Sequence, residues 1–323
     1  MIVVLTGGTG GAKFIQGLKE IVPANEITAV VNTGDDLRWW GLHVSPDLDS
    51  ITYALAGLLS KERGWGVEGD TFQCLEAMRR SGAPTWFQLG DRDLATHIFR
   101  TQLLAEGKTL TEATAIIARS LGIAAQILPM TDARVETRVL TPDGELGFQE
   151  YFVRERYQVR VDAVRFDGAA SASPAPGVVE AIYAAEMVLI APSNPVTSIG
   201  PMLAVAEIRE ALRRTPAPIG AISPIVGGTA VSGPAAELMR VHGLPVSIEG
   251  VAQAYSDFLD VLIIDERDAG DESDVGSAAS VERLGIRLHR AETIMKTAAD
   301  KTALASAALQ ALRATRGVSA AGH

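Results

Sequence analysis

The chain has 323 residues, with 29 Lys and Arg against 39 Asp and Glu, a formal net charge of −10 and one cysteine. That acidic balance excludes a nucleic-acid surface, which needs a basic stripe, and the length allows enough burial to stand without disulfides. Cys74 alone can make no intrachain bridge, which points to a reducing cytoplasm; no apolar run approaches the ~18 to 20 residues of a membrane span, and the chain opens on a strand pattern with no basic leader.

Ile2-Val3-Val4-Leu5 reads as a buried strand. It runs into Thr6-Gly7-Gly8-Thr9-Gly10-Gly11-Ala12-Lys13 and then into the helical pattern of Phe14, Ile15 and Leu18. A strand that ends in glycines ahead of a helix presents free backbone N–H groups at the positive end of the helix dipole, and glycine lets a phosphate approach without a Cβ in the way. The turn is read as a phosphate cradle; without a ligand, the same pattern is a tight strand-to-helix connection. It is not a Walker A loop, because Lys13 follows Ala12 and precedes Phe14, leaving no Ser or Thr beside it to ligate magnesium. Counted from Gly8, a dinucleotide fingerprint meets Lys13 where its third glycine belongs.

Thr28 to Val31 reads as a second parallel strand. It empties into Asn32-Thr33-Gly34-Asp35-Asp36, followed by Pro46-Asp47-Leu48-Asp49 and a helical stretch from Ser50. In an open α/β sheet the ligand crevice lies outside the carboxyl ends of the strands, so these acids share a crevice with the glycine turn. Carboxylates beside a phosphate call for a cation between them, most economically Mg²⁺. The alternative is structural, with Asp35 or Asp36 making a turn and Asp49 capping the helix.

From Ser50 to Leu128 the pattern is helical, at Thr71 to Arg80, Leu94 to Ala105 and Leu110 to Ser120, so residues 51–128 are expected to form an inserted helical subdomain and residues 1–50 with 129–323 the core. Within the insert, Asp93 and His97 lie one turn apart on a helix face, a spacing that suits either a metal or an N-cap aspartate with a hydrogen-bonded histidine; Arg92 beside them suits an anion. Val135 to Leu140 and Leu146 to Val153, around Pro142-Asp143-Gly144, read as a β-hairpin. A surface connection, Gly168 to Gly177, leads to a helix from about Gly177, a strand at Met187 to Ala191, a helix near Pro201 to Arg214 and a strand at Ile219 to Ile222. The expected fold is therefore α/β: Rossmann-like, doubly wound on a mainly parallel sheet, with a helical insert and a β-hairpin. Two later strand ends, Pro192-Ser193-Asn194-Pro195-Val196-Thr197-Ser198-Ile199-Gly200 and Ser223-Pro224-Ile225-Val226-Gly227-Gly228, offer hydroxyls and amides for a second phosphate or a sugar, or simply shape loops and cap helices.

Taken in order, Gly7-Gly8-Thr9-Gly10, Val31 to Asp36, Pro46 to Asp49, Gly90 to His97, Leu128-Pro129-Met130-Thr131-Asp132, Pro192 to Pro195 and Ser223-Pro224-Ile225 resemble the 2-phospho-L-lactate transferase family of deazaflavin coenzyme (F-420) biosynthesis. Val231-Ser232-Gly233-Pro234-Ala235 and Phe258-Leu259-Asp260 extend the resemblance over most of the chain. The resemblance implies a cytoplasmic homodimer that moves a phospholactyl or phosphoenolpyruvyl group from a guanosine diphosphate ester to the ribityl hydroxyl of the deazaflavin Fo, releasing GMP. On that reading Gly8, Thr9, Gly10, Gly11 and Lys13 hold the donor's diphosphate, and Ser193, Asn194, Ser198 and Gly200 its nucleotide or the ribityl chain. Asp35, Asp47 and Asp49 hold Mg²⁺, with Asp36, Asp47 and Asp49 as the catalytic carboxylates. Asp91, Arg92, His97, Thr131 and Asp132 fall to the acceptor. Competing readings are a non-catalytic nucleotide-sugar-binding regulator of the same superfamily, a nicotinamide oxidoreductase, disfavoured because Asn32 stands where the ribose-binding acid belongs, and a purely structural protein, against which the clustered carboxylates argue.

Overall fold

The computed structural model describes residues 1–269 and 272–319. In chain order the first elements are β1 (Ile2–Thr6), α1 (Gly8–Leu18), β2 (Ile27–Val31), the short pair β3 (Leu37–Trp39) and β4 (Leu42–Val44), and the helices α2 (Pro46–Ala56), α3 (Gln73–Arg80), α4 (Asp91–Ala105) and α5 (Leu110–Ser120). Strands return at β5 (Gln126–Pro129), β6 (Glu136–Thr141), β7 (Gly144–Gly147) and β8 (Ala163–Asp167). Then follow α6 (Val178–Ala184), β9 (Met187–Ile190), α7 (Gly200–Ala204), α8 (Ala206–Arg214), β10 (Ile219–Ile222), the two-residue strands β11 (Ile225–Val226) and β12 (Thr229–Ala230), α9 (Ala235–Val241) and α10 (Ile248–Ala254). The chain closes with β13 (Val261–Asp265), α11 (Glu272–Arg283), β14 (Arg287–Ala291) and α12 (Ala298–Ser319).

A seven-stranded sheet, in the order β14-β13-β10-β9-β1-β2-β5 with every pair parallel, forms the centre. Its strands are apolar on both faces because helices cover both. Val3 and Leu5 enter one apolar layer with Val188 and Ile190, while Ile2 and Val4 enter the other with Phe14, Ile15 and Leu309. This is the doubly wound α/β architecture that the alternation of elements implied. The winding reverses between β1 and β9, which opens a crevice beyond their carboxyl ends, where the glycine turn and the Pro192–Gly200 loop both emerge. A separate antiparallel sheet of β7, β6 and β8 carries the hairpin.

Several boundaries differ from the sequence expectation. Helix α2 begins at Pro46, not Ser50, because proline suits the first helical position, so Asp47 and Asp49 sit in its first turn. Helix α4 begins at Asp91, with Gly90 rather than Asp93 as N-cap. The second arm of the hairpin ends at Gly147, whose N–H goes to the Glu150 carboxylate, and the chain then winds into a π-turn over Glu150–Arg154. The helix expected near Pro201 to Arg214 is broken at Val205, which leaves helical ψ and is fully buried.

Candidate active site

The crevice between β1 and β9 deepens into a cavity of about 820 Å³, within the usual range for a small-molecule site. Gly8, Thr9, Gly10 and Lys13 form one wall, Asp35, Asp47, Asp49 and His97 another, and Ser193, Asn194 and Ser198 close it from the β9 exit loop. These predicted site residues, from segments up to 190 positions apart, converge because the sheet order sets β1, β2 and β9 side by side.

Helix α1 starts at Gly8 itself, with φ +69°, so the glycine turn is the helix's first turn. One of its amides already meets an anion: Gly8 N–H donates to Asp47 Oδ1 at 2.8 Å. A Cβ built on Gly10 stands 2.2 Å from the Pro192 carbonyl oxygen, so the β9 exit loop crossing α1, not an approaching phosphate, requires glycine there. Gly10→Ala is expected to cost about 1–3 kcal/mol of stability through overpacking. An unchanged urea midpoint would show that the loop yields freely.

The carboxylates divide by helical geometry. Two positions along an α-helix turn a side chain through roughly 200°, so Asp47 and Asp49 face different partners. Asp47 turns to α1 and to Asn32, whose Nδ2 donates to Asp47 Oδ2 at 3.0 Å and to Asp35 Oδ2 at 3.1 Å. Burial pushes Asp35 well above the usual carboxylate range, the charge of Asp47 adding to it, and burial pushes Asp47 up to about 6 against the pull of Gly8 and Asn32. Among the described residues, Asp35 Oδ1 is buried with no hydrogen-bond partner. Two ionised carboxylates sharing one amide in such burial need either a proton or a cation. Since both residues line the cavity, a cation entering from it fits.

Asp49 turns the other way, to α4, where the fully buried Arg100 takes both of its oxygens: Nη1 donates to Oδ2 at 3.2 Å and Nη2 to Oδ1. Burial disfavours the charged guanidinium, yet the Asp49 carboxylate outweighs it and holds Arg100 above its ordinary range. His97 stands beside this pair, Nδ1 3.5 Å from Asp49 and Nε2 3.3 Å from Asp93, while Tyr53 donates to Asp93 at 2.7 Å. Among the described residues, Asp49, Asp93 and His97 bring one ligand atom each within 4.8 Å of one another, as a metal would require. The expected set of Asp35, Asp47 and Asp49 is thus split, Asp35 and Asp47 on one side and Asp49 with Asp93 and His97 on the other.

Other expected site residues are directed elsewhere. Asp36 lies behind the wall, accepting from Ser45 at 2.7 Å and meeting His43 at 3.0 Å; burial pushes it up while His43 opposes. Gly11 is pressed against Thr6, and Gly200 packs under Phe166. Asp91 accepts from the Gln73 and Cys74 amides and so caps α3, and Arg92 donates to the Glu68 carbonyl. Thr131 donates to the Ser173 carbonyl, and Asp132 accepts from Thr111 at the start of α5. None of these seven lines the cavity: the glycines are packed against neighbouring side chains, Asp36 is held by Ser45 and His43, and the other four brace neighbouring backbone.

The sequence reading missed the aromatic walls. Trp86 and Phe87, before α4, and Phe148 and Phe152, around the π-turn, all line the cavity. Trp86 meets Trp39 edge-on at 4.7 Å, and Phe148 stacks on Phe152 at 5.6 Å because the π-turn brings residues four apart onto one face. Also missed were Arg156, at φ +51°, and Lys296, which bring positive charge to the lining of a net acidic chain. A Trp-Phe pair in a loop, outside any apolar period, was the one available signal in a chain only 5% aromatic.

A family model described as 2-phospho-L-lactate transferase CofD matches residues 2–302. The chain is 42% identical over 310 residues to the 2-phospho-L-lactate transferase of Methanosarcina mazei, covering 96% of this chain and 100% of that protein. It is 45% identical over 308 residues to the phosphoenolpyruvate transferase of Streptomyces griseus, covering 94% and 95%. Its backbone is similar to the crystal structure of a Bacillus halodurans protein with a TM-score of 0.63, over 95% of this chain and 98% of that one; at 17% identity this likeness speaks for the fold.

Proposed function

The chain belongs to the 2-phospho-L-lactate transferase CofD family, and from that premise we propose that it transfers a phospho-acid unit from a guanosine diphosphate ester to the ribityl hydroxyl of the deazaflavin Fo. The observation that carries this reading is the meeting of three chemistries in one cavity: amides and cations at the α1 end, buried carboxylates directly beside them, and aromatic side chains from residues 86–87 and 148–152. The first suits a diphosphate, the second a cation that bridges to it, and the third a planar ring.

The hydroxyl oxygen attacks the phosphorus that bears the acid, a new P–O bond forms, and the bond to the guanosine phosphate breaks, so that GMP leaves with the electron pair. Such a step asks mainly for alignment and for positive charge on the phosphoryl oxygens. Thr9, Gly10, Lys13 and Lys296 hold the diphosphate, and Ser193, Asn194 and Ser198 lie along the nucleotide. Trp86, Phe87, Phe148 and Phe152 grip the deazaflavin ring, with His97 beside its ribityl chain. Asp35 and Asp47 would hold Mg²⁺, which when bound supplies charge neutralisation at the transferring group. In this reading Asp47 also takes the hydroxyl proton.

Incubation with Fo and, in turn, the phospholactyl, phosphoenolpyruvyl and phosphoglyceryl guanosine diphosphates tests the reading by mass spectrometry. The expected result is a phospho-acid ester of Fo, with GMP release that depends on Fo and is lost in EDTA. Release of GMP without Fo, or full activity in EDTA, would overturn it.

A further inference from the structure

The edge strand β14 lies four places from β1, roughly 19 Å away at about 4.8 Å per strand. The segment leaving it nevertheless reaches the cavity, which Thr293, Ile294, Met295 and Lys296 all line. Between Ala291 and Ala298 this segment has no helix or strand of its own. To return from the sheet edge it must cross the end of β13, and there it meets Asp265.

Asp265 is the last residue of β13 and is 2% exposed. Its Oδ2 accepts from the Thr293 amide at 3.0 Å and from the Thr293 hydroxyl at 2.8 Å. Its Oδ1 accepts from the Arg267 amide at 3.1 Å and from Arg267 Nε at 2.6 Å. Each carboxylate oxygen thus holds one loop by two bonds, close to the full acceptor capacity of the group. Burial opposes its ionisation, yet these bonds hold Asp265 below the usual carboxylate range. The far end of the segment is fixed at the start of α12, where Asp300 accepts the Lys296 and Thr297 amides and Lys301 reaches Gln16 of α1 at 2.7 Å. Residues 293–296 therefore form a strap between two anchors, ending beside the helix that carries Lys13.

Resting on the function proposed above, we infer that Asp265 is a positioning residue for the guanylated donor: it does not line the cavity, and acts through Thr293 to hold the strap and Lys296 against the phosphate end. Asp265→Asn keeps the shape but turns one acceptor oxygen into a donor, so one loop loses its partner. In the free protein, amide hydrogen exchange at 293–297 should quicken by roughly 10-fold or more, and GDP affinity by calorimetry should weaken by about 10-fold, as for one lost charge-assisted hydrogen bond. The donor KM should rise in step, with kcat and the Fo KM within about two-fold, a split that a general loss of structure does not produce. Unchanged exchange, or faster exchange with unchanged GDP affinity, overturns the inference. If Asp265→Asn does not fold, Thr293→Val decides: it must quicken exchange at 294–297 without nucleotide, which loss of a direct donor contact does not do, and wild-type exchange there overturns the inference. A wild-type protein that binds no GDP overturns the proposed function and the donor role with it, while the exchange result still decides the anchoring.

Discussion

Asp47→Asn is expected to lower turnover by roughly 10² or more, the scale of losing charge stabilisation at a transferring phosphoryl group, while the unfolding midpoint stays within a few degrees of wild type. Two opposed terms hold the stability in place. The amide can still accept the Gly8 N–H, but it meets the Asn32 amide donor to donor and loses that hydrogen bond, about 1 kcal/mol. Against this, removing the charge relieves the repulsion that Asp47 exerts on the buried Asp35. Steady-state kinetics beside thermal unfolding separates chemistry from folding. A variant with turnover within three-fold of wild type would remove Asp47 from the catalytic set, and a midpoint lowered by ten degrees would make it a structural cap of α1.

Replacing Arg100 should have the largest effect on stability. Arg100→Met is expected to cost about 3–5 kcal/mol, the scale for leaving one partner of a buried ion pair uncompensated. That is a large share of the 5–15 kcal/mol typical of a whole domain. Asp49 would then be left buried near Asp47 with His97 as its remaining neighbour of basic character. Adding Asp49→Asn should restore most of the loss, because the unpaired charge is what destabilises. Urea unfolding of the two single variants and the double variant closes the cycle. A loss under about 1 kcal/mol, or no recovery in the double variant, would mean that water or a bound cation compensates Asp49 without Arg100.

The glycine turn and the acidic strand end were legible because each is a local pattern. A strand running through glycines into a helix, or acids following a buried strand, are settled by backbone geometry within about ten residues, and the doubly wound rule then puts both in one crevice. Direction was not legible. Asp91 and Arg92 precede Asp93, which lines the cavity, yet their side chains, like those of Thr131 and Asp132, cap helices or brace loops. A residue string carries no record of which way its side chain points once neighbouring helices dock.

By itself, then, the sequence determined the alternation of elements, the apolar strands covered on both faces, the glycine turn and the acidic character of the segment beside it, since all follow from period, propensity and charge along a short stretch of chain. The tertiary structure alone decided that Asp47 turns to Gly8 and Asn32 while Asp49 is paired with Arg100, that Trp86, Phe87, Phe148 and Phe152 line one cavity, and that a strap from the sheet edge brings Lys296 to that cavity. These depend on contacts between residues about 30 to 290 positions apart. Such contacts form only when the strand order and the packing of α4 on α2 fix their spacing, and no local periodicity encodes that.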